Sequence, residues 1–125
     1  MIAGIGTDIV AVARLGTLYE RHGERVLDKL LALAERADFE KAKDPARFLA
    51  KRFAAKEAFG KALGIGVATP ATMPSIAVVH DLAGKPAFAY APELAQYLAE
   101  RGLLAHLSIS DEKEFALAFV VIEHA

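Results

Sequence analysis

The chain contains no cysteine. Disulfide bridges, zinc–thiolate centres and a thiol nucleophile are thereby excluded, and the composition fits a reducing compartment, so a cytoplasmic location is expected. No apolar run approaches the ~20 residues that a membrane span needs. The first ten residues are apolar, but no basic stretch precedes them and Asp8 lies among them, so they do not read as a signal peptide. Neither sign of charge is in excess. The formal net charge is −1, which provides no global field for nucleic acid or a membrane surface. Internal repeats, linkers and low-complexity segments are also missing. One domain spanning residues 1–125 is the expectation, with a core of ordinary size. The apolar fraction, 54%, is high for such a chain, and surplus apolar surface often ends in an oligomer interface.

The most organised stretch runs from Asp44 to Gly64 and predicts one helix with both ends marked. Asp44 can cap the first amides, Pro45 suits the first helical position, and Gly64 suits a left-handed stop. Gly60 costs ~1 kcal/mol relative to Ala in an exposed helix, so a glycine there points to something packed against the backbone. Phe48, Ala55, Phe59, Ala62 and Leu63 form one apolar face. The opposite side carries Glu57 and Lys61, but Ala50, Phe53 and Ala54 surround them. Glu57 and Lys61 are either a surface pair contributing ~0.2–0.5 kcal/mol or the lining of a groove. Lys41, Lys43, Arg47, Lys51, Arg52, Lys56 and Lys61 stand in this region against only Asp44 and Glu57, as a solubilising face or an anion site.

Elsewhere, Met1–Asp8 reads as a strand in which Gly4 and Gly6 imply a bend or a close backbone approach. The glycines alone do not make a phosphate loop, because the rest of the dinucleotide fingerprint is absent. Asp8 is either a helix cap or a metal ligand. Ala11–His22 reads as a helix stopped by Gly23, with Arg14, Leu18 and Arg21 on one face. That face is either solvated or suited to an acidic partner helix. Residues 27–42 look helical in two pieces, with no evident chemistry. Strands are expected at Ser75–His80 and Pro86–Tyr90, a helix at Pro92–Gly102, and a closing hairpin from His106–Ser110 and Glu114–Glu123 across Asp111–Lys113. His106, on the same side of its strand as Ser108 and Ser110, is either structural or a ligand contact. The fold class is α+β: an amino-terminal strand, a helical block, then a mainly antiparallel sheet.

Three motifs then carry a resemblance. Phe53-Ala54-Ala55-Lys56-Glu57-Ala58 with Lys61-Ala62, preceded by Arg47-Phe48-Leu49-Ala50-Lys51-Arg52, resembles the central signature of the 4′-phosphopantetheinyl transferases. More narrowly, it resembles that of their short bacterial type, the holo-acyl-carrier-protein synthases. Gly4-Ile5-Gly6-Thr7-Asp8-Ile9-Val10 is similar to the amino-terminal motif of that family, and His106-Leu107-Ser108-Ile109-Ser110-Asp111 to its carboxy-terminal one. Some relatives carry His where this chain has Asp111, so no catalytic role passes to that position.

The resemblance implies a Mg²⁺-dependent transfer of 4′-phosphopantetheine from coenzyme A to a serine of apo acyl carrier protein, in support of fatty acid synthesis. It implies Asp8 and Glu57 as metal ligands, a number that suits Mg²⁺, which usually takes one or two carboxylates. Lys61 would meet a phosphate, and Glu57 would serve as base, directly or through water. Arg52, Lys61, Lys85, Pro86, His106 and Ser108 are candidates for binding coenzyme A. Arg14, Leu18 and Arg21 are candidates for the carrier protein, and a homotrimer with sites at subunit boundaries is implied. Two other readings share some of these residues: a Mg²⁺-dependent phosphotransferase using another nucleotide, and a non-enzymatic module binding an acidic protein.

Overall fold

The computed structural model describes residues 1–125. Strand β1 (Ile2–Ala11) leads into helices α1 (Val12–His22) and α2 (Glu24–Leu30), a 3-10 turn (Leu33–Glu35) and α3 (Arg36–Lys41). The long helix α4 (Pro45–Leu63) follows, then strands β2 (Ile76–His80) and β3 (Pro86–Tyr90), helix α5 (Pro92–Glu100), and strands β4 (Leu103–Asp111) and β5 (Phe115–His124). All strand pairings are antiparallel, in a three-stranded sheet of order β1-β5-β4 and a separate β2-β3 ribbon. The α+β expectation holds. The amino-terminal strand closes the fold by pairing with the last one, Asp8 opposite Ala118.

Helix α4 is the axis of the molecule. The Asp44 carboxylate accepts the Arg47 amide at 3.1 Å, and Gly64 closes the helix in the left-handed region at φ 88°. Residues buried on α4 lie around most of its circumference and include Leu49, Ala54, Ala58, Phe59 and Ala62. It is sandwiched between the inner face of the sheet on one side and α1, α2 and the β2-β3 ribbon on others. Phe59 stacks edge-on against Phe88 and packs beside Tyr90, which joins the ribbon to this core.

The closest approach is between α4 and β1, and the glycines explain it. A Cβ on Gly4 would lie 1.9 Å from the Ala62 carbonyl oxygen, and one on Gly6 only 2.1 Å from that of Ala58. Strand and helix therefore touch backbone to backbone, a contact that only glycine permits.

The sheet has two unlike faces. Val10, Leu107, Ala116, Ala118, Val120 and Ile122 point inward and are buried. The outer face presents Ile5, Ile9, Leu104, Phe115, Leu117 and Phe119, all exposed, with Ile5 and Ile9 about 60% so. His106, Ser108 and Ser110 alternate onto that same outer face.

Candidate active site

The glycine contact places the end of β1 beside the middle of α4, and three charged side chains meet there. Lys61 Nζ donates to Asp8 Oδ1 at 3.1 Å and to the Thr7 carbonyl at 3.0 Å. Asp8 Oδ2 is sealed from solvent without a hydrogen-bond partner. Glu57 lies one helical turn before Lys61. Burial first, and then the negative charge of Asp8, push its carboxyl above the ordinary value, while Lys61 and Arg14 pull the other way. Two carboxylates, one raised by burial and by the charge of the other and the other with an orphaned buried oxygen, suit a hard dication. Mg²⁺ fits, since it takes one or two carboxylates and completes its shell with water and phosphate oxygens.

Arg14 bears on this cluster from α1. Its guanidinium also lies over the Phe53 ring, 5.2 Å from the centroid. Phe53 in turn walls a cavity of about 380 Å³ between α1, α2 and α4, lined also by Leu15, Leu18, Val26 and Met73 and rimmed by His22, Arg25 and Lys29. Leu18 thus opens into an apolar pocket, and Arg21 stands exposed near it in the last turn of α1.

The nucleotide candidates lie elsewhere. Lys85 and Pro86 sit at the β2-β3 turn, where the Asp81 carboxylate accepts the amides of Ala83 and Lys85, both at 2.9 Å. His106 Nε2 is 3.1 Å from Glu123 Oε1 on the outer face of the sheet, and Ser108 shares that face. Asp8, on the helix side of β1, faces the opposite way. One chain therefore does not bring His106 and Ser108 to the Asp8–Glu57–Lys61 cluster.

Arg52 requires a correction. Expected at the adenine or 3′-phosphate end, it is buried, with Nη1 donating to Glu35 Oε2 at 2.7 Å and to the Val78 carbonyl at 2.6 Å. Nη1 is spent inside the fold and Nη2 lies 4.0 Å from the Asp38 carboxylate, so the side chain ties α4 to the core. Lys56 is likewise fully buried, so the basic run of residues 41–61 is not one patch. Lys56 Nζ donates to Glu35 Oε1 at 2.5 Å and to the carbonyls of Leu30 and Met73 at 2.7 and 3.0 Å. Burial pushes the Lys56 ammonium down to about 8, which leaves it charged at neutral pH. Burial alone would raise the Glu35 carboxyl. The charge and hydrogen bond of Lys56, with the amides of Val78 and Ala32, outweigh that and hold it low. Residues 27–42, read as carrying no chemistry, therefore supply the one buried carboxylate of the core. Its signal was faint: a lone acid a few residues beyond Leu30 and Leu31.

Arg47 also turns away from any anion site. Its guanidinium grips the β4-β5 turn through Asp111 Oδ2 at 3.1 Å and the carbonyls of Glu112 and Lys113 at 2.6 and 3.0 Å. Asp111 anchors that turn.

A sequence model of the 4′-phosphopantetheinyl transferase superfamily matches residues 4–120, from the first motif through the last. The chain belongs to that superfamily. It is 66% identical over 125 residues to a holo-[acyl-carrier-protein] synthase of Dechloromonas aromatica (strain RCB), covering 100% of both chains. It also superimposes on the crystal structure of the Neisseria meningitidis synthase with a TM-score of 0.95 at 45% identity, covering 98% of this chain and 99% of that one. A Bacillus anthracis synthase, solved in complex with CoA (3′,5′-ADP), is similar at a TM-score of 0.85 and 35% identity over 100% of this chain and 99% of that one. The chain is accordingly a transferase.

Proposed function

We propose that the chain transfers 4′-phosphopantetheine from coenzyme A to one serine of apo acyl carrier protein, releasing adenosine 3′,5′-bisphosphate and serving fatty acid synthesis in the cytoplasm. The observation that carries this is the cluster itself: two carboxylates and a lysine assembled from the first and central motifs. In bonds, the serine oxygen attacks the pyrophosphate phosphorus that bears pantetheine. The bond from that phosphorus to the bridging oxygen breaks, and the bridging oxygen leaves on the adenosine bisphosphate.

Glu57 accepts the serine proton. A carboxyl held above its ordinary value is better matched to that task near neutral pH than a free one. Asp8 and Glu57 would hold Mg²⁺, which when bound neutralises pyrophosphate charge. Lys61, about half exposed and tethered only through Asp8 and the Thr7 carbonyl, exchanges those contacts for a phosphate oxygen. The carrier docks on α1. Arg14 and Arg21 pair with its acidic side chains, and the pocket beside Leu18 takes an apolar one.

His106, Ser108, Lys85 and Pro86 hold the nucleotide end, and this requires a second copy. In a homotrimeric ring, the outer sheet face of one chain meets a neighbour and delivers His106 and Ser108 to the neighbour's Asp8 and Glu57 at the subunit boundary. The apolar outer face supports this reading, since contiguous exposed patches of several hundred Å² mark interaction sites.

The test is intact-mass spectrometry of apo acyl carrier protein incubated with the protein, Mg²⁺ and either coenzyme A or ATP. One phosphopantetheine added to one serine, with coenzyme A only, is expected. Modification with ATP instead would make the chain a different phosphotransferase, and no mass gain on several carriers would refute the reading.

A further inference from the structure

We propose that Glu35 is a positioning residue for the transfer: through Lys56 it fixes the rotation of α4 about its axis, and with it the aim of Glu57. This rests on the reading of Asp8 and Glu57 as the site of phosphopantetheine transfer. The Glu35 carboxylate is the hub of a closed network. Oε1 accepts from the Ala32 amide at 2.8 Å and from Lys56 Nζ, and Oε2 accepts from Arg52 Nη1 and from the Val78 amide at 3.0 Å. Lys56 spends its three protons on Glu35, Leu30 and Met73. The bonds of Arg52 and Lys56 run from α4 to the end of α2, the 3-10 turn, the segment before β2, and β2 itself.

Packing holds this helix through Leu49, Phe59 and the backbone contact with Gly4 and Gly6. The other apolar residues it buries are alanines (Ala50, Ala54, Ala55, Ala58 and Ala62), spread around the circumference. On the side of Arg52 and Lys56 the hydrogen bonds add what small side chains do not, because they are directional. Buried ion pairs are poor contributors to stability compared with apolar residues of similar volume, and their best-attested use is to fix register. Arg52 and Lys56, one turn apart, form a single stripe, and Glu57 stands 100° round the helix from Lys56. With a carboxyl ~5–6 Å from the helix axis, a turn of roughly 10° shifts it by about 1 Å. A misplacement of that size can cost ~10²-fold in rate. Leu30 and Met73, whose carbonyls Lys56 holds, also line the cavity beside Leu18, so the same bonds set the floor of the carrier pocket.

The decisive variant is Glu35→Asp, which keeps the charge but draws the carboxylate back so that it no longer spans from Lys56 to Val78. Folding is checked by circular dichroism, and kcat and KM are measured well below the melting temperature. Mn²⁺ affinity of the substrate-free protein is measured by electron paramagnetic resonance. A folded variant should lose about 10- to 100-fold in kcat, and Mn²⁺ should bind about 10-fold more weakly, as when the partners of metal ligands are removed. KM for coenzyme A should stay within about twofold, because its nucleotide end is held by other residues. A folded Glu35→Asp protein with wild-type kcat and Mn²⁺ affinity overturns the proposal. Should that variant fail to fold, Lys56→Met, which leaves Glu35 paired with Arg52, carries the same expectations. Collapse of both overturns the proposal, because the network would then support the fold rather than aim Glu57. If the wild-type protein modifies no carrier, the transfer reading fails, while Mn²⁺ affinity still reports on Glu35 separately.

Discussion

Substituting Gly6 by alanine tests the architecture of the site without touching a charged group. The added methyl would lie 2.1 Å from the Ala58 carbonyl oxygen and 2.7 Å from the Ala62 nitrogen. Both atoms belong to the backbone of α4, so no side chain can swing aside. Ordinary contact begins at 3.4 Å, so strand and helix must part by about 1 Å. Overpacking of this kind costs typically ~1–3 kcal/mol. At roughly 4 °C for each kcal/mol in a domain of this size, the melting temperature should fall by about 4–12 °C. Asp8 rides on β1 and Glu57 on α4, so the same displacement opens the carboxylate pair and should lower transfer by up to ~10²-fold even where the protein stays folded. Differential scanning calorimetry and a transfer assay at a temperature below both melting transitions read the two effects. A Gly6→Ala protein that melts with the parent and transfers at the parental rate would refute the argument that this backbone contact builds the site.

Reversing Arg21 to Glu should weaken carrier-protein binding, more at low salt than at high, because exposed charges are screened over a Debye length of ~10 Å at 0.1 M. Equal loss of coenzyme A affinity would contradict that placement. Phe119→Glu, on the outer sheet face, should shift the mass seen by light scattering toward a single chain and abolish transfer together with it; a fully active monomer would overturn the shared-site model. Burial pushes the Tyr90 phenol up to about 12, whereas an unfolded tyrosine titrates near ~10. Its contribution to stability is therefore complete below pH ~10 and is lost as pH rises through the higher value. Tyr90→Phe should flatten that alkaline decline in denaturant titrations, and an unchanged slope would show that Tyr90 is not its source.

Much of the scaffold was legible because its signals are local. The caps of α4 sit at Asp44 and Gly64 as the residue types predict, and α1 stops at Gly23. Gly60 in a helix interior signals a close approach, and a Cβ there would lie 2.7 Å from the Gly66 carbonyl carbon. Gly4 and Gly6 carried the same message for β1. Strand ends were less legible, since β1 runs on to Ala11 only because β5 continues to pair with it as far as Phe115. The charged residues of α4 were least legible. Lys51, Arg52, Lys56 and Lys61 are alike as a string, yet two are exposed or half-exposed and two are buried. The difference depends on Glu35, which meets Lys56 and Arg52 only through tertiary folding. Nor does periodicity along β4 reveal that His106 and Ser108 face away from Asp8. That follows from which sheet face α4 covers.

The most direct test of the account follows carrier-protein modification by mass spectrometry across a Mg²⁺ titration, with the wild-type protein, Asp8→Ala and Glu57→Ala compared side by side. Neither substitution removes core packing, so both variants should fold. The wild type should add one phosphopantetheine per carrier in a Mg²⁺-dependent manner, and each variant should add none even at saturating metal. Near-normal modification by either folded variant would contradict the assignment of Asp8 and Glu57 as the paired carboxylates on which the transfer depends.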